Sequence, residues 1–290
     1  MNLLEKYREY LENIKAPKPY SKETINSYCN DVKMFLNYIG DKSVTDIMSD
    51  DVDMFLSENS PATAHRRFSS VKNFYKYLNR IGIADGSPIV RGETYRNLRT
   101  IPKKMSIYMF KEETFIFMNE AAKKIRDYAI MMVFINTAMR ESELINLKIK
   151  DYDGKFIKYI AKGNKERIQA IGSAAAQAID DYLATRTDDL EYLFVSNKGC
   201  KYSPSGIYTL VKTIAKRAGI KKDITPHKLR NTCAAAMRTD GNDIYTIAKK
   251  LGHEDIKVTE IYLRTLVDER DIEAAEKGSF NVDFRAKAEA

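Results

Sequence analysis

The sequence predicts a mainly α-helical chain with a small β-sheet, divided into two domains. Three observations carry this reading. Apolar residues recur at spacings of three and four through most of the chain, the period of one face of a helix. One stretch near residue 160 switches to strand-like alternation around a Gly-Asn turn. The length, 290 residues, suggests two domains of ordinary size.

The elements follow in chain order. The opening MNLLEKYREYLENIKAPK reads as an amphipathic helix with acidic residues early. It lacks the basic start, apolar centre and small-residue cleavage site of a secretory signal. In TINSYCNDVKMFLNYIG, residues Ile25, Tyr28, Val32, Phe35, Leu36 and Ile39 form one stripe that ends at Gly40. SVTDIMSDDVDMFLSEN gives a short segment and then a helix capped near Ser49. Ser60-Pro61 opens a long helix whose buried stripe is Phe68, Val71, Phe74, Tyr75 and Leu78. Arg66, Arg67, Lys72, Asn73 and Lys76 fall largely on its other faces, where basic side chains can follow phosphates or enter a groove.

Residues 81–106 carry Gly-containing turns, two prolines and no clean period. This places the first domain at 1–85, a linker at 86–106 and the second domain at 107–290. Beyond the linker, SIYMFKEETFIFMNEAA resumes a helical pattern. The apolar KIRDYAIMMVFIN predicts a buried helix before Thr137, followed by the Arg140–Leu147 segment. Phe156, Tyr159 and Ile160 precede a Gly163-Asn164 turn, and Ile168, Ala170 and Ile171 follow it, which is a hairpin signal. Ser173 then caps a helix, YLFVSNKG reads as a short strand and turn, and helices are expected at about 203–218, 226–239 and 242–251.

Charge is unevenly spread. The net charge is +8 and the pI about 9.1. Residues 61–104 alone hold ten Lys/Arg against Asp85 and Glu93, a net +8, whereas 41–60 holds one Lys against six acids. A concentrated basic region suits a polyanionic partner, although a solvated linker with charged helix faces would look similar. The chemistry available elsewhere is narrow. Cys29, Cys200 and Cys233 are odd in number and far apart, against a disulfide framework or a CxxC zinc site. With three histidines, no H-E-x-x-H and no GxxxxGK[ST], metalloprotease and P-loop readings fall away. No apolar run reaches the roughly 18 residues of a membrane span, so the expected location is the cytoplasm, beside the nucleoid, with no membrane partner.

Four segments remain: NTAMRESELINL at 136–147, AKGNKERIQAI at 161–171, TPHKLRNTCAA at 225–235 and LGHEDIKVTEIYL at 251–263. Singly, each has a bland reading. An isolated arginine is usually a surface residue, a turn lysine is solvated, a histidine near a helix start is structural, and a tyrosine between Ile261 and Leu263 packs. His65, outside all four, keeps that reading. In this order and spacing the four segments resemble the tyrosine recombinase family, or phage-type integrases, and among them the simple, Xer-like members. The motif resemblance runs from about 107 to 265 and extends more weakly over 1–80.

That resemblance implies an N-terminal helical, SAM-like core-binding domain and a mixed α/β catalytic domain. It implies that Arg140 and Arg230 are catalytic arginines, that Lys162 sits on the hairpin, and that His227, His253 and the nucleophile Tyr262 complete the set, with Glu143 in support. Met139 stands where the family commonly has Leu, and Asn231 where it often has His. It implies no metal and no cofactor. Its partner is double-stranded DNA carrying an inverted-repeat site, bound as a homotetramer or dimer of dimers, with a paired paralogue as an option. The expected DNA-backbone contacts are Arg66, Arg67, Lys72, Lys76, Lys103 and Lys104.

The residue types fit phosphoryl transfer. Two guanidiniums, charged at any working pH, can hold non-bridging phosphate oxygens as charge builds there. A tyrosine with an ordinary pKa near 10 needs cationic neighbours and a base such as His227 before it attacks. A departing 5′-oxygen needs a proton, for which Lys162 is the acid. The covalent 3′-phosphotyrosyl product would conserve the bond energy for rejoining. Two other readings share these features: a type IB topoisomerase-like enzyme, and a non-catalytic DNA-binding or architectural protein.

Overall fold

The computed structural model describes residues 2–14, 19–89, 107–161 and 164–263, the side chains of Ile261 and Tyr262 excepted. The chain forms two compact units, residues 1–102 and 103–290.

The first unit contains α1 (Leu3–Asn13), α2 (Lys22–Ile39), α3 (Ser49–Ser57) and α4 (Pro61–Arg80). The starts obey local chemistry. The Asn2 side chain accepts the Glu5 N–H while Glu5 returns a bond to the Asn2 N–H, a reciprocal capping box. Ser21 and Ser60 cap α2 and α4, and Pro61 fills the first position of α4, where no N–H is needed. The apolar stripes meet in one core: Tyr7 and Leu11 from α1, Val32 and Phe35 from α2, Val52 and Phe55 from α3, and Val71, Phe74 and Leu78 from α4. Each such side chain contributes about 1.5–3 kcal/mol through burial. Asn73, expected on a polar face, instead accepts from Tyr7 Oη at 2.8 Å and donates to Tyr20 Oη at 3.1 Å.

The second unit is mainly helical, with the small sheet: α5 (Lys111–Ala121), α6 (Ile125–Thr137), the four-residue α7 (Glu141–Leu144), a 3-10 turn (Ile149–Asp151), strands β1 (Phe156–Ala161) and β2 (Lys165–Ala170), then α8 (Ser173–Ala184), α9 (Pro204–Arg217), α10 (Pro226–Thr239), α11 (Ile244–Leu251) and α12 (Ile256–Leu263). The strands pair antiparallel, from Phe156 opposite Ala170 to Ala161 opposite Lys165. Ile157 and Tyr159 face the core, and Phe156, Ile160 and Ile168 face outward. Asn164, next to the turn, adopts φ +59°, a left-handed value that asparagine tolerates. The core gathers Phe117, Ile130, Phe134, Leu144, Ile157, Ile179, Phe194 and Val211.

Two expectations change, and one further helix appears. The N-cap of α8 is Gly172, and Ser173 is the first helical residue. YLFVSNKG forms isolated bridges, Tyr192 to Lys148 and Val195 to Lys201, instead of a strand, because no neighbour extends the ladder. The end of the LGHEDIKVTEIYL segment is itself helical, so Tyr262 lies in the last turn of α12. No described helix is long and apolar enough to cross a membrane. The stretch 90–106 of the expected linker, with Lys103 and Lys104, lies outside the described residues, as do Lys162 and everything after Leu263.

Candidate active site

Arg140 is placed by a tight exit from α6. Thr137 turns its hydroxyl back to the Val133 carbonyl at 2.6 Å, and Ala138 closes the helix in the left-handed region, φ +51° and ψ +25°. Alanine rarely adopts that conformation. Its methyl is fully buried against Cys233, Ala234, Ile247 and Leu251, a packing gain that offsets the strain. Met139 is buried next, and Arg140 emerges at the start of α7. Glu143, buried one turn later, accepts the Arg140 N–H at 2.7 Å through Oε2 and Arg140 Nη1 at 2.9 Å through Oε1. One carboxylate therefore fixes the backbone and the guanidinium together, while the Arg140 side chain stays 36% exposed.

Arg230 comes from α10, which Thr225 caps and Pro226 opens. His227 and Arg230 stand three residues apart, hence on one side of the helix. Arg230 is only 6% exposed. Its Nη1 donates to the Ala138 carbonyl and its Nη2 to the Leu251 carbonyl. These bonds account for two of its five N–H donors and set the plane of the guanidinium. The arginine thus ties the turn before Arg140 to the helix end before His253. Next to it, Asn231 is buried and donates to the Ile107 carbonyl at 3.2 Å, linking α10 to the start of this unit.

His253 follows α11, which Asp243 caps and Gly252 ends with φ +68°. The left-handed φ favours glycine there, and a Cβ on Gly252 would lie 1.6 Å from Arg167 Nη1, so that the end of the Arg167 side chain would have to shift. The His253 N–H bonds to the Ala248 carbonyl at 3.0 Å, and its Nδ1 lies 2.7 Å from Thr259 Oγ1 on α12. Burial, then the charges of Arg230, Arg140, His227 and Arg167, push its imidazole down to about 4. His227 is also held below its usual value, by desolvation and then by Arg230, Arg140 and Lys228, although it keeps solvent access. Arg140, His227, Arg230 and His253 therefore lie within electrostatic reach of one another, and burial together with the guanidinium charges disfavours the cationic form of both imidazoles.

The hairpin is anchored to both sides of this cluster. Gln169 Nε2 donates to the Thr137 carbonyl at 2.7 Å, and Arg167 Nη2 to the Lys249 carbonyl at 2.7 Å. Lys165 Nζ meets Glu254 Oε1 at 2.5 Å. All three contacts come from β2, so the return strand of the hairpin is held beside the cluster. Tyr262 is nine residues past His253 on the helix that also carries Thr259.

The basic residues expected on α4 sit in the first unit. Lys72 and Lys76 are exposed on it. Arg66, 48% exposed, pairs with the buried carboxylate of Asp31 and reaches Ser27 Oγ at 3.2 Å. Arg67, 12% exposed, lies over the Phe55 ring at 5.1 Å, with its Nε 4.0 Å from Asp31 Oδ1. Sequence reasoning missed Thr259, Arg167 and the strained Ala138. Arg167 could have been noticed as part of GNKER. Nothing in the local sequence marks the other two.

Known proteins resemble this chain over most of its length. Residues 108–269 match the phage integrase family, and residues 7–82 match the phage integrase N-terminal SAM-like domain. The tyrosine recombinase XerC of Oceanobacillus iheyensis is 30% identical over 291 residues, covering 92% of this chain and 94% of that protein. The tyrosine recombinase XerD of Halalkalibacterium halodurans is 29% identical, covering 88% and 91%. Among solved structures, the XerA recombinase is 29% identical with a TM-score of 0.55, covering 96% of this chain and 99% of that one. XerH site-specific recombinase, bound to a palindromic difH substrate in a post-cleavage complex, shares the fold at 21% identity and a TM-score of 0.73, covering 94% and 83%. With a catalytic-family match over more than half its length and full-length relatives at this identity, the chain belongs to the phage integrase family, the tyrosine recombinases.

Proposed function

We propose that this protein cleaves and rejoins the strands of a specific DNA duplex through a 3′-phosphotyrosyl intermediate. Arg140 and Arg230 cradle the scissile phosphate and absorb the charge that develops on its non-bridging oxygens. His253 donates a further hydrogen bond. His227, its cationic form disfavoured by burial and the nearby arginines, takes the proton of Tyr262, whose oxygen forms the bond to phosphorus as the bond to the 5′-oxygen breaks. Lys162 protonates that departing oxygen, and Glu143 orients Arg140. Reversal of these steps by a 5′-hydroxyl from a second duplex restores the phosphodiester without ATP or a metal ion.

The single observation that carries the reading is the Arg230 guanidinium, buried yet bonded to the carbonyls of Ala138 and Leu251. A buried charge spent on joining two motif segments makes sense if those segments must present Arg140 and His253 to one anion. The target is double-stranded DNA with an inverted repeat, held by four protomers. The helical N-terminal domain (1–85) and the linker (86–106) add backbone contacts through Arg66, Lys72, Lys76, Lys103 and Lys104. Arg67, more enclosed, supports Arg66.

The test is a suicide DNA substrate carrying the recognition site, resolved on a denaturing gel. The wild-type chain gives a covalent adduct in EDTA. Tyr262→Phe binds DNA and gives none. Absence of any adduct on a bound cognate site would overturn the reading in favour of an architectural protein, and relaxation of arbitrary supercoiled plasmid would favour a topoisomerase.

A further inference from the structure

Thr259 plays no part in the reaction as written, yet it is fully buried and stands on α12 one turn before Tyr262. Its hydroxyl has one hydrogen-bond partner among the described residues, His253 Nδ1 at 2.7 Å. Helical threonines commonly spend the hydroxyl proton on the carbonyl four residues earlier. Thr137 does so to Val133 at 2.6 Å, and Thr232 to Lys228 at 2.9 Å. Thr259 makes no such bond.

Hydrogen-bond bookkeeping at the buried hydroxyl argues for one direction of the contact. If His253 donated through Nδ1–H, the buried hydroxyl proton of Thr259 would be left without an acceptor, which native interiors avoid. If Thr259 donates, Nδ1 accepts and the proton of a neutral imidazole must sit on Nε2. A neutral ring has one N–H to offer, so its value as a donor to phosphate depends on which nitrogen carries it.

We propose that Thr259 is a positioning residue that selects the Nε2–H tautomer of His253, so that the ring presents a donor to the scissile phosphate. The role rests on the strand-exchange reading above. It also couples two parts of the site: the hydroxyl that orients the histidine is carried by the helix that carries the nucleophile, so a displaced α12 would release the histidine as well.

The test uses the full chain labelled with 15N-histidine, which has three histidines to assign. Nitrogen–proton coupling patterns report the tautomer of each ring without DNA, so this readout stands apart from success or failure of cleavage. Wild-type His253 is expected to carry its proton on Nε2. Thr259→Val keeps the shape and removes the hydroxyl; it should give a tautomer mixture and form adduct about tenfold more slowly in single turnover, the size expected for one misdirected hydrogen bond. Thr259→Ser, which keeps the hydroxyl, should retain the tautomer and most of the rate. The proposal is overturned if wild-type His253 is protonated on Nδ1, if Thr259→Ser loses the tautomer, or if Thr259→Val leaves either the tautomer or the adduct rate unchanged.

Discussion

Arg140 illustrates how one carboxylate can set a catalytic geometry. Glu143 takes both the Arg140 N–H and its guanidinium. Glu143→Gln keeps the shape and loses the charge. We expect a stable fold and adduct formation slower by about ten- to a hundredfold, because a bond to a charged group worth about 1.5–3 kcal/mol is weakened; quench-flow on the suicide substrate measures it. His253 makes a second prediction. Its folded value, about 4, lies below the ordinary histidine value of 6.5. Between those limits the unfolded chain binds more protons than the folded one, so stability is intact above about pH 7 and falls as pH drops toward 4. At 1.36 kcal/mol per pKa unit the full shift would be about 3.4 kcal/mol, and solvent screening at this half-buried ring makes the loss smaller. Urea midpoints at pH 7.5 and 5 should separate for the wild type and approach each other in His253→Gln. A supporting role for Glu143 was legible through the resemblance of its segment; its double bond to Arg140 and the contact of His253 with Thr259 on α12 were not.

At the scale of elements, the turn after α11 is the most constrained. Gly252 has φ +68°, and the Arg167 guanidinium occupies the space a Cβ would need. Gly252→Ala should cost about 1–2 kcal/mol from left-handed strain and displacement of Arg167 together. In a double-mutant cycle with Arg167→Ala, the two losses should fall short of additivity, read from thermal melts. In the first unit, Asp31 is buried and accepts from Arg66 and from Ser70 at 2.8 Å. Asp31→Ala should destabilise by about 1–3 kcal/mol, from the lost bonds of Arg66 and of buried Ser70 and from the enclosed Arg67 guanidinium left without its carboxylate, as measured by urea unfolding. These elements were largely visible in advance. The α2 and α4 stripes and the hairpin follow from period and turn chemistry, which are local. The strand expected at YLFVSNKG failed for a non-local reason: pairing needs a neighbour, and the chain supplies bridges only.

For the whole molecule, charge is the property that matters. The net +8 of residues 61–104 equals that of the whole chain. If Lys72 and Lys76 contact phosphates, replacing both by alanine should weaken binding equally for cognate and unrelated duplex. It should also reduce the slope of log K against log salt by about 2, close to one unit per contact. Fluorescence anisotropy across a salt series measures this; an unchanged slope would remove these lysines from the interface.

The order and spacing of four short segments were enough to identify the family and to nominate a chemistry and the residues to test, because catalysis demands particular side chains at particular separations along the chain. Amphipathic periods were enough for a mainly helical fold. Tertiary structure alone decided that Arg230 bridges the turn at Ala138 to the helix end at Leu251, that Ala138 is strained, that Arg66 answers to Asp31, and that Thr259 meets His253. The Arg230 and Asp31 contacts join residues tens of positions apart, the Ala138 angle is forced by packing, and Thr259 and His253, six apart, meet because the chain turns between α11 and α12; none of these leaves a trace in local sequence.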